Sequence, residues 1–292
     1  MAKIFVDRTA CVRCGACVDV CTIAKVFELR DDASTPVRAD ACWGCGQCVA
    51  VCPTDAIDHD RFPLEDCPIL DREDLPTPEA LQTAFRARRS CRTFQDKPLP
   101  REQVREIISD ARWSPTAHNS QAFDWLAFDD PTRIDELSEA TIDQMARFSK
   151  LARNPFVRPF LTLAIGREAV EGAAGLKRFV DRMTRDRAQG GDPIFYHAPV
   201  LLIGHGPSGG RFGRDDAIYA AYNLMLTAER HGLATCQIGF FQAVAERSAK
   251  LRRAVGIPEG RDPQVALILG YPRHPFRRLL PRRSPNLSWN PR

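Results

Sequence analysis

Two runs near the start of this chain, ACVRCGACVDVC at Ala10–Cys21 and ACWGCGQCVAVC at Ala41–Cys52, hold eight of its 11 cysteines. Both have the spacing C-x2-C-x2-C-x3-C, so Cys11, Cys14, Cys17 and Cys21 are repeated as Cys42, Cys45, Cys48 and Cys52. The opening MAKIFVDRTACVRC has no apolar stretch of export-signal type, so a cytoplasmic location is expected and disulfides explain the pattern poorly. Zinc is the structural alternative. Its sites pair two C-x2-C knuckles around one tetrahedral ion, which three cysteines at consecutive three-residue steps fit less well. Such a triplet wraps one face of an iron–sulfur cubane and leaves the fourth cysteine for a neighbouring cluster. Two [4Fe–4S] clusters are the expectation.

With KIFVD as an opening strand and DAIDH as a closing one, residues 1–60 resemble the bacterial-type two-cluster ferredoxins. The resemblance implies that Cys11, Cys14, Cys17 and Cys52 hold one cluster, and Cys42, Cys45, Cys48 and Cys21 the other. Cys52 precedes Pro53 whereas Cys21 precedes Thr22, so the clusters need not share a potential. Gly15, Gly44 and Gly46 let backbone N–H groups approach the sulfides, where they tune potential. Cys67, Cys91 and Cys236 lack any local signature of a nucleophile and read as small hydrophobes or a stray thiol.

Charge divides the 292 residues unevenly. Residues 1–78 carry 8 Lys and Arg against 14 Asp and Glu, net −6; the remainder carry 33 against 23, net +10. The contrast suggests two units, although solvated surfaces alone would also produce it. No apolar run is long enough for a bilayer, so no membrane partner is expected. The proline- and acid-rich run IDHDRFPLEDCPILDREDLPTP lacks periodicity and reads as a linker, set at residues 61–78. Thr77-Pro78-Glu79 then opens a helix, and a second follows Pro100. WLAF, FLTLAIG, PVLLIG and QVALILG are strand candidates; DDAIYAAYNLMLTAERHG and AVAERSAKLRRAVGIP are helix candidates. The body, residues 79–292, is thus expected to be α+β. GHGPSGG after PVLLI imitates a dinucleotide-binding loop. Pro207 removes a needed N–H and RFGRDD delays the helix whose N-terminus would hold the pyrophosphate, so an ordinary glycine-rich loop is the better reading.

The informative body motifs are RARRSCRTFQDKPLP and ARWSPTAHNSQAFDW. The first gathers Arg88, Arg89, Ser90 and Arg92 at a helix end, more cation than a cap requires and suited to gripping a phosphate. The second puts the amides of Asn119 and Gln121 in an irregular loop beside Thr116. Either alone is a basic helix end or a polar loop. Together, in this order, they resemble the FMN-dependent nitroreductase family. That family's fold is a mixed sheet flanked by helices, here preceded by a small ferredoxin-like domain.

The resemblance implies that Arg88, Arg89, Ser90 and Arg92 bind FMN, and that Pro115, Thr116, Ala117, Asn119 and Gln121 approach it from the partner subunit of a homodimer. Thr116-Ala117 and Ala122-Phe123 depart from the family's commoner serine and Pro-Trp. HGLATCQIGFF resembles the turn that sets backbone N–H groups against flavin N5, which implicates Ile238 and Gly239. In GYPRHPFRRLLPRRSP the family's late basic residues correspond to Arg282 and Arg283; a nucleic-acid arm is the competing reading, and no nucleic-acid partner is expected. The substrate pocket would be lined by Phe240, Phe241 and the segment Ile142–Arg187, whose cations either favour an anionic substrate or are solvated helix faces.

The implied activity is that of an iron–sulfur flavoprotein oxidoreductase. A low-potential donor such as ferredoxin or flavodoxin feeds the clusters, and FMN reduces a small nitro, quinone or activated-alkene acceptor. No side chain stands out as the proton donor. An NAD(P)H-driven nitroreductase with auxiliary clusters, the reverse electron flow, and a redox sensor or carrier without its own substrate remain open.

Overall fold

A computed structural model describes residues 2–290, which divide into two compact units. The first comprises residues 1–77 together with Thr116–Gln121; the second comprises Pro78–Pro115 and the chain from Ala122 onward.

In the first unit the cysteine repeat is also a structural repeat. The order is β1 (Ile4–Val6), α1 (Ala16–Val20), β2 (Phe27–Leu29), β3 (Ser34–Pro36), α2 (Gln47–Val51) and β4 (Ile57–His59). Strand β1 pairs antiparallel with β4, Val6 opposite Ile57, and β2 pairs with β3. Each short helix starts after a left-handed glycine, Gly15 at φ 78° and Gly46 at φ 77°. Gly46 has a second reason to be glycine: a Cβ there would stand 3.2 Å from the Phe62 ring. The core is small: Val6, Val26, Phe27, Val49 and Ile57 with the thiols of Cys17 and Cys48. So little apolar surface holds a domain of this size poorly without a metal staple. Beyond β4 the chain runs through single 3₁₀ turns at Leu64–Asp66 and Arg72–Asp74, with Ile69, Leu70 and Leu75 exposed.

The second unit begins with α3 (Pro78–Ala87) and α4 (Arg101–Ala111). Strand β5 (Asp124–Phe128) leads to α5 (Pro131–Arg153), α6 (Arg158–Ile165), α7 (Arg167–Gly175) and α8 (Lys177–Ala188). Then come β6 (Val200–Pro207), α9 (Gly213–Arg230), β7 (Ala234–Gln237), α10 (Gly239–Ala245), α11 (Ala249–Val255) and β8 (Arg261–Gly270). The strands form one sheet in the order β5-β6-β8-β7, paired antiparallel, and Ser90 adds a parallel bridge to Thr235. Alternation within β6 and β8 sends residues to opposite faces. Leu201, Ile203, Ala266 and Ile268 join Leu137, Met145, Phe241 and Leu251 on one side. Val200, Leu202, Leu267 and Leu269 join Val104, Ile107, Ala221 and Leu224 on the other. Both faces are covered, which is why the strands read as near-continuous apolar runs.

Two expectations are corrected. FLTLAIG is not a strand but most of α6. A short apolar run has no period to separate strand from helix. Here Pro159 sits in the first turn and Leu161 packs against Ala152, Val170 and Ala173, leaving Phe160 and Leu163 exposed. AVAERSAKLRRAVGIP is not one helix: the chain breaks between α10 and α11 because Ser248 caps α11, its Oγ accepting from the Leu251 N–H at 3.2 Å. The glycine-rich imitation of a dinucleotide loop is largely strand, since Gly204, Gly206 and Pro207 all lie in β6 and pair with β8.

Candidate functional site

Three cysteines of the first run line one cavity with the last cysteine of the second: Cys11, Cys14, Cys17 and Cys52, beside Val6, Ser34 and Ile57. This is the crossed set that the ferredoxin resemblance implies. Among the described residues no three His, Cys, Asp or Glu side chains close around a single metal ion. Sulfurs around a cavity suit a multi-atom cluster. Backbone donors stand ready for the crossing thiolates: Val26 N–H to Cys21 Sγ and Ala56 N–H to Cys52 Sγ, each at 3.2 Å. Burial pushes the Cys48 thiol up to about 11 and raises Cys17 as well, so metal ligation must displace protons from both.

The SPTAHNSQ loop folds onto this cysteine domain. His118, Asn119 and Gln121 all have left-handed φ, between 48° and 57°. The Asn119 amide is spent at both ends: Nδ2 donates to Gly44 O at 2.8 Å and Oδ1 accepts from Gln121 Nε2 at 3.0 Å. The Gln121 N–H donates to Thr116 Oγ1 at 3.1 Å. The His118 ring meets Trp43 edge-on at 4.4 Å, and Arg61 donates to both Trp43 O and Asn119 O at 3.4 Å. Thr116–Gln121 thus belongs to the cysteine unit, with His118 and Asn119 meeting the Cys42–Cys45 turn, while Pro115 belongs to the second unit.

In the second unit the end of α3 meets β7. Ser90 bridges Thr235, and the Cys91 N–H donates to Thr235 O at 2.9 Å. This brings Arg88, Ser90 and Arg92 to Cys236; burial raises that thiol, and the Arg92 charge and the Ser90 hydrogen bond oppose the rise. None of Arg88, Arg89 and Arg92 forms an ion pair among the described residues. Arg88 Nε is buried without a hydrogen-bond partner, and the Arg89 guanidinium donates to Arg88 O at 2.9 Å. An orphaned buried guanidinium N–H beside two unpaired cations fits an anionic group.

Immediately after β7 comes Ile238-Gly239. The Ile238 N–H is taken by Ala266 O at 2.9 Å, while the N–H groups of Gly239, Phe240 and Phe241 in the first turn of α10 have no intrahelical acceptor. Nothing lies within 4 Å of where a Gly239 Cβ would be, so this face is open. Phe241 is fully buried, whereas Phe240 is half-exposed and stacks on Phe179 at 4.9 Å. Phe240 also borders a cavity of about 320 Å³ walled by Met145, Phe148, Ala173, Leu176 and Val244. Ser149 lines it too, 3% exposed, its Oγ without a partner. Of the cations in the Ile142–Arg187 segment, Lys177 pairs with Asp181 and Arg158 with Glu171 on the surface.

Arg282 and Arg283 lie exposed in the irregular chain after β8. The late arginine that the fold holds in place is Arg273. Its N–H donates to Thr93 O at 3.0 Å and its Nε to Phe94 O at 3.2 Å, and it shares a cavity of about 570 Å³ with Arg92 and Tyr196. The signal in the sequence was its position directly after the strand-plus-GYP segment. Asp192 shapes that cavity wall: buried, it accepts from Ser138 Oγ at 2.6 Å and from the N–H groups of Ile194, Phe195 and His197, holding Tyr196 and His197 at φ 57° and 52°.

The chain thus carries a helix-flanked antiparallel sheet with an unpaired arginine group at its edge and, in its other unit, a crossed four-cysteine cavity, an arrangement that fits a redox protein with an iron–sulfur module. Residues 85–271 match the Nitroreductase family and residues 4–59 match the 4Fe-4S dicluster domain. The chain belongs to the nitroreductase family and is an oxidoreductase of that class with an iron–sulfur domain. Among curated proteins it is similar to the chloronitrobenzene nitroreductase of Comamonas testosteroni, 24% identical over 222 residues, 68% of this chain and 88% of that protein. Among solved structures it resembles a nitroreductase with bound FMN from Bacteroides fragilis, TM-score 0.51 at 19% identity, covering 70% of this chain and 94% of the other. A nitroreductase with bound FMN from Desulfitobacterium hafniense is similar with TM-score 0.49 at 17% identity, covering 71% and 96%. No helix among the described residues is long and apolar enough to cross a membrane.

Proposed function

We propose that this protein passes electrons from a low-potential donor of ferredoxin or flavodoxin type, through two [4Fe–4S] clusters, to FMN, and from there to a small organic acceptor. The observation that carries the reading is the unpaired set Arg88, Arg89 and Arg92, with its orphaned buried Nε, in a chain that also bears a dicluster domain. When bound, the clusters supply one-electron transport and the flavin two-electron chemistry at N5.

The remaining roles fall to the chain. Cys11, Cys14, Cys17 and Cys52 would hold one cluster; Cys42, Cys45, Cys48 and Cys21 would hold the other. Arg88, Arg89, Ser90 and Arg92 would grip FMN, with Arg273 joining Arg92 in the cavity they share. The Gly239 N–H would donate at N5. Asn119 and Gln121 would serve a partner subunit's flavin only by giving up their present hydrogen bonds; Arg282 and Arg283 would reach it from the exposed tail. The functional divisions are residues 1–60, 61–78 and 79–292, and the working form is a homodimer.

The acceptor would enter the 320 Å³ cavity beside Phe240. Its walls are mostly apolar, with Gln144, Arg247 and Ser248 among them, and the buried Ser149 Oγ lacks a partner, which suits a flat apolar molecule bearing a polar group: a nitroarene, quinone or activated alkene. Anaerobic reduction decides between donors. Rapid flavin reduction by reduced ferredoxin or flavodoxin, followed by oxidation with a nitroarene, is the expected result. Equally rapid reduction by NAD(P)H alone would overturn the donor assignment.

A further inference from the structure

The two halves of the cysteine domain repeat closely, and their differences are therefore informative. Val26 donates to Cys21 Sγ and Ala56 donates to Cys52 Sγ at the same 3.2 Å, so these two are counterparts. Three residues further along each strand stand Leu29 and His59. Leu29 is half-exposed and has nothing to donate; His59 is 1% exposed, and its Nε2 lies 3.6 Å from Cys42 Sγ. The Gly44 N–H also donates to Cys42 Sγ, at 3.3 Å.

We propose that His59 is a positioning residue for the cluster on Cys42, Cys45, Cys48 and Cys21, donating Nε2–H to the Cys42 thiolate and raising that cluster's reduction potential above its twin's. A ligating thiolate has only acceptor capacity, so the facing nitrogen must carry the proton. The far side of the ring is consistent with this. Nδ1 accepts from the Arg61 N–H at 3.1 Å and lies 3.2 Å from Asp60 Oδ1. With Nδ1 accepting from the Arg61 N–H, the neutral ring carries its hydrogen on Nε2. Phe62, 5.1 Å from the imidazole, and the surrounding core fix the ring.

A hydrogen bond to a cluster sulfur stabilises the more negative, reduced state, which raises the potential. The Arg61 guanidinium, donating to Trp43 O beside the Cys42–Cys45 turn, acts in the same direction. On the other cluster, Ser34 Oγ lies 3.1 Å from Cys17 Sγ and Arg13 stands between Cys11 and Cys14. The serine hydroxyl rotates about its C–O bond, and the Arg13 side chain is exposed and screened. The buried, fixed imidazole N–H is the stronger influence. The cluster favoured by an arriving electron would then be the one whose Trp43–Gly44 turn is held by Asn119, His118 and Arg61. The proposal rests on the two-cluster reading and not on the direction of electron flow.

The test is a redox titration of the full-length, cluster-loaded but flavin-free protein, followed by electron paramagnetic resonance, so it is blind to donor, flavin and acceptor. In wild type two midpoint potentials are expected. His59→Leu, which installs the repeat's own residue, should lower the higher one by at least tenfold in the one-electron equilibrium, about 59 mV, and leave the other in place. His59→Gln, retaining an N–H donor, should recover part of the shift. Equal potentials in wild type, unmoved potentials in His59→Leu, or a joint fall of both would overturn the proposal. If His59→Leu does not load clusters, wild-type protein with ¹⁵N-histidine carries the test. One histidine nitrogen should couple to one reduced-cluster signal, and coupling to neither would overturn it.

Discussion

Replacing Arg88 with glutamine separates a binding role from a structural one, because the two roles predict opposite effects on stability. Arg88 Nε is buried without a protein partner, and none of Arg88, Arg89 and Arg92 is ion-paired among the described residues. A buried unsatisfied donor costs folding free energy, so removing it should leave flavin-free stability unchanged or raise it by about 1 kcal/mol. With FMN bound, the same group makes a charge-assisted hydrogen bond worth about 1.5–3 kcal/mol. At about 1.4 kcal/mol per decade, Arg88→Gln should weaken FMN binding roughly 10- to 150-fold. Fluorescence titration of FMN onto flavin-free protein gives the affinity, and thermal unfolding with and without FMN gives the stabilities. Arg86→Gln, in the last turn of α3 and outside the group, should change neither. A loss of more than about 1 kcal/mol of flavin-free stability, with FMN affinity intact, would refute the reasoning and make Arg88 a structural residue.

Asp192→Asn keeps one acceptor oxygen but faces the His197 N–H with an amide nitrogen, so about 1–3 kcal/mol of stability should be lost in denaturant unfolding; loss of FMN affinity should accompany it, because the Tyr196–His197 wall borders the Arg92 cavity. His205 is buried and its Nδ1 accepts from Arg261 Nε at 2.7 Å, and burial followed by the Arg261 charge lowers its pKa below the ordinary 6.5. The unfolded chain therefore binds the extra proton first: this contribution to stability is complete above pH 6.5 and is lost as pH falls through the folded value. Melting temperatures at acid and neutral pH should differ less in His205→Gln than in wild type; an unchanged difference would exclude this histidine. Ser149→Ala removes an orphaned hydroxyl, so stability should hold while KM for a nitroarene or quinone rises.

What the sequence discloses here follows from how local each signal is. The eight cysteines, the strand at Ile4–Val6 and its partner at Ile57–His59, and the helix start at Pro78 are written in short-range spacing and capping, and were legible. FLTLAIG was not, because a short, mostly apolar run suits a buried strand and a helix equally; its outcome depended on Ala152, Val170 and Ala173 elsewhere in the chain. The break at Ser248 was legible in principle as an N-cap but was masked by apolar residues continuing on both sides. In the site, RRSCR announced itself through charge, whereas Arg273 was hidden among five late arginines and stands out only once Phe94 and Pro272 pair. His59 carried no motif. Its meaning comes from comparing two repeats in three dimensions, where its counterpart is Leu29.

The central claim is that electrons reach the flavin through the cysteine domain. Anaerobic stopped-flow spectroscopy of wild type and of a Cys14→Ser, Cys45→Ser variant, both loaded with FMN, tests it most directly. Wild type should show cluster bleaching followed by flavin reduction when mixed with reduced ferredoxin or flavodoxin. The variant should retain FMN and its reduction by dithionite but lose reduction by the protein donor. Flavin reduction at the wild-type rate in the variant would contradict the account.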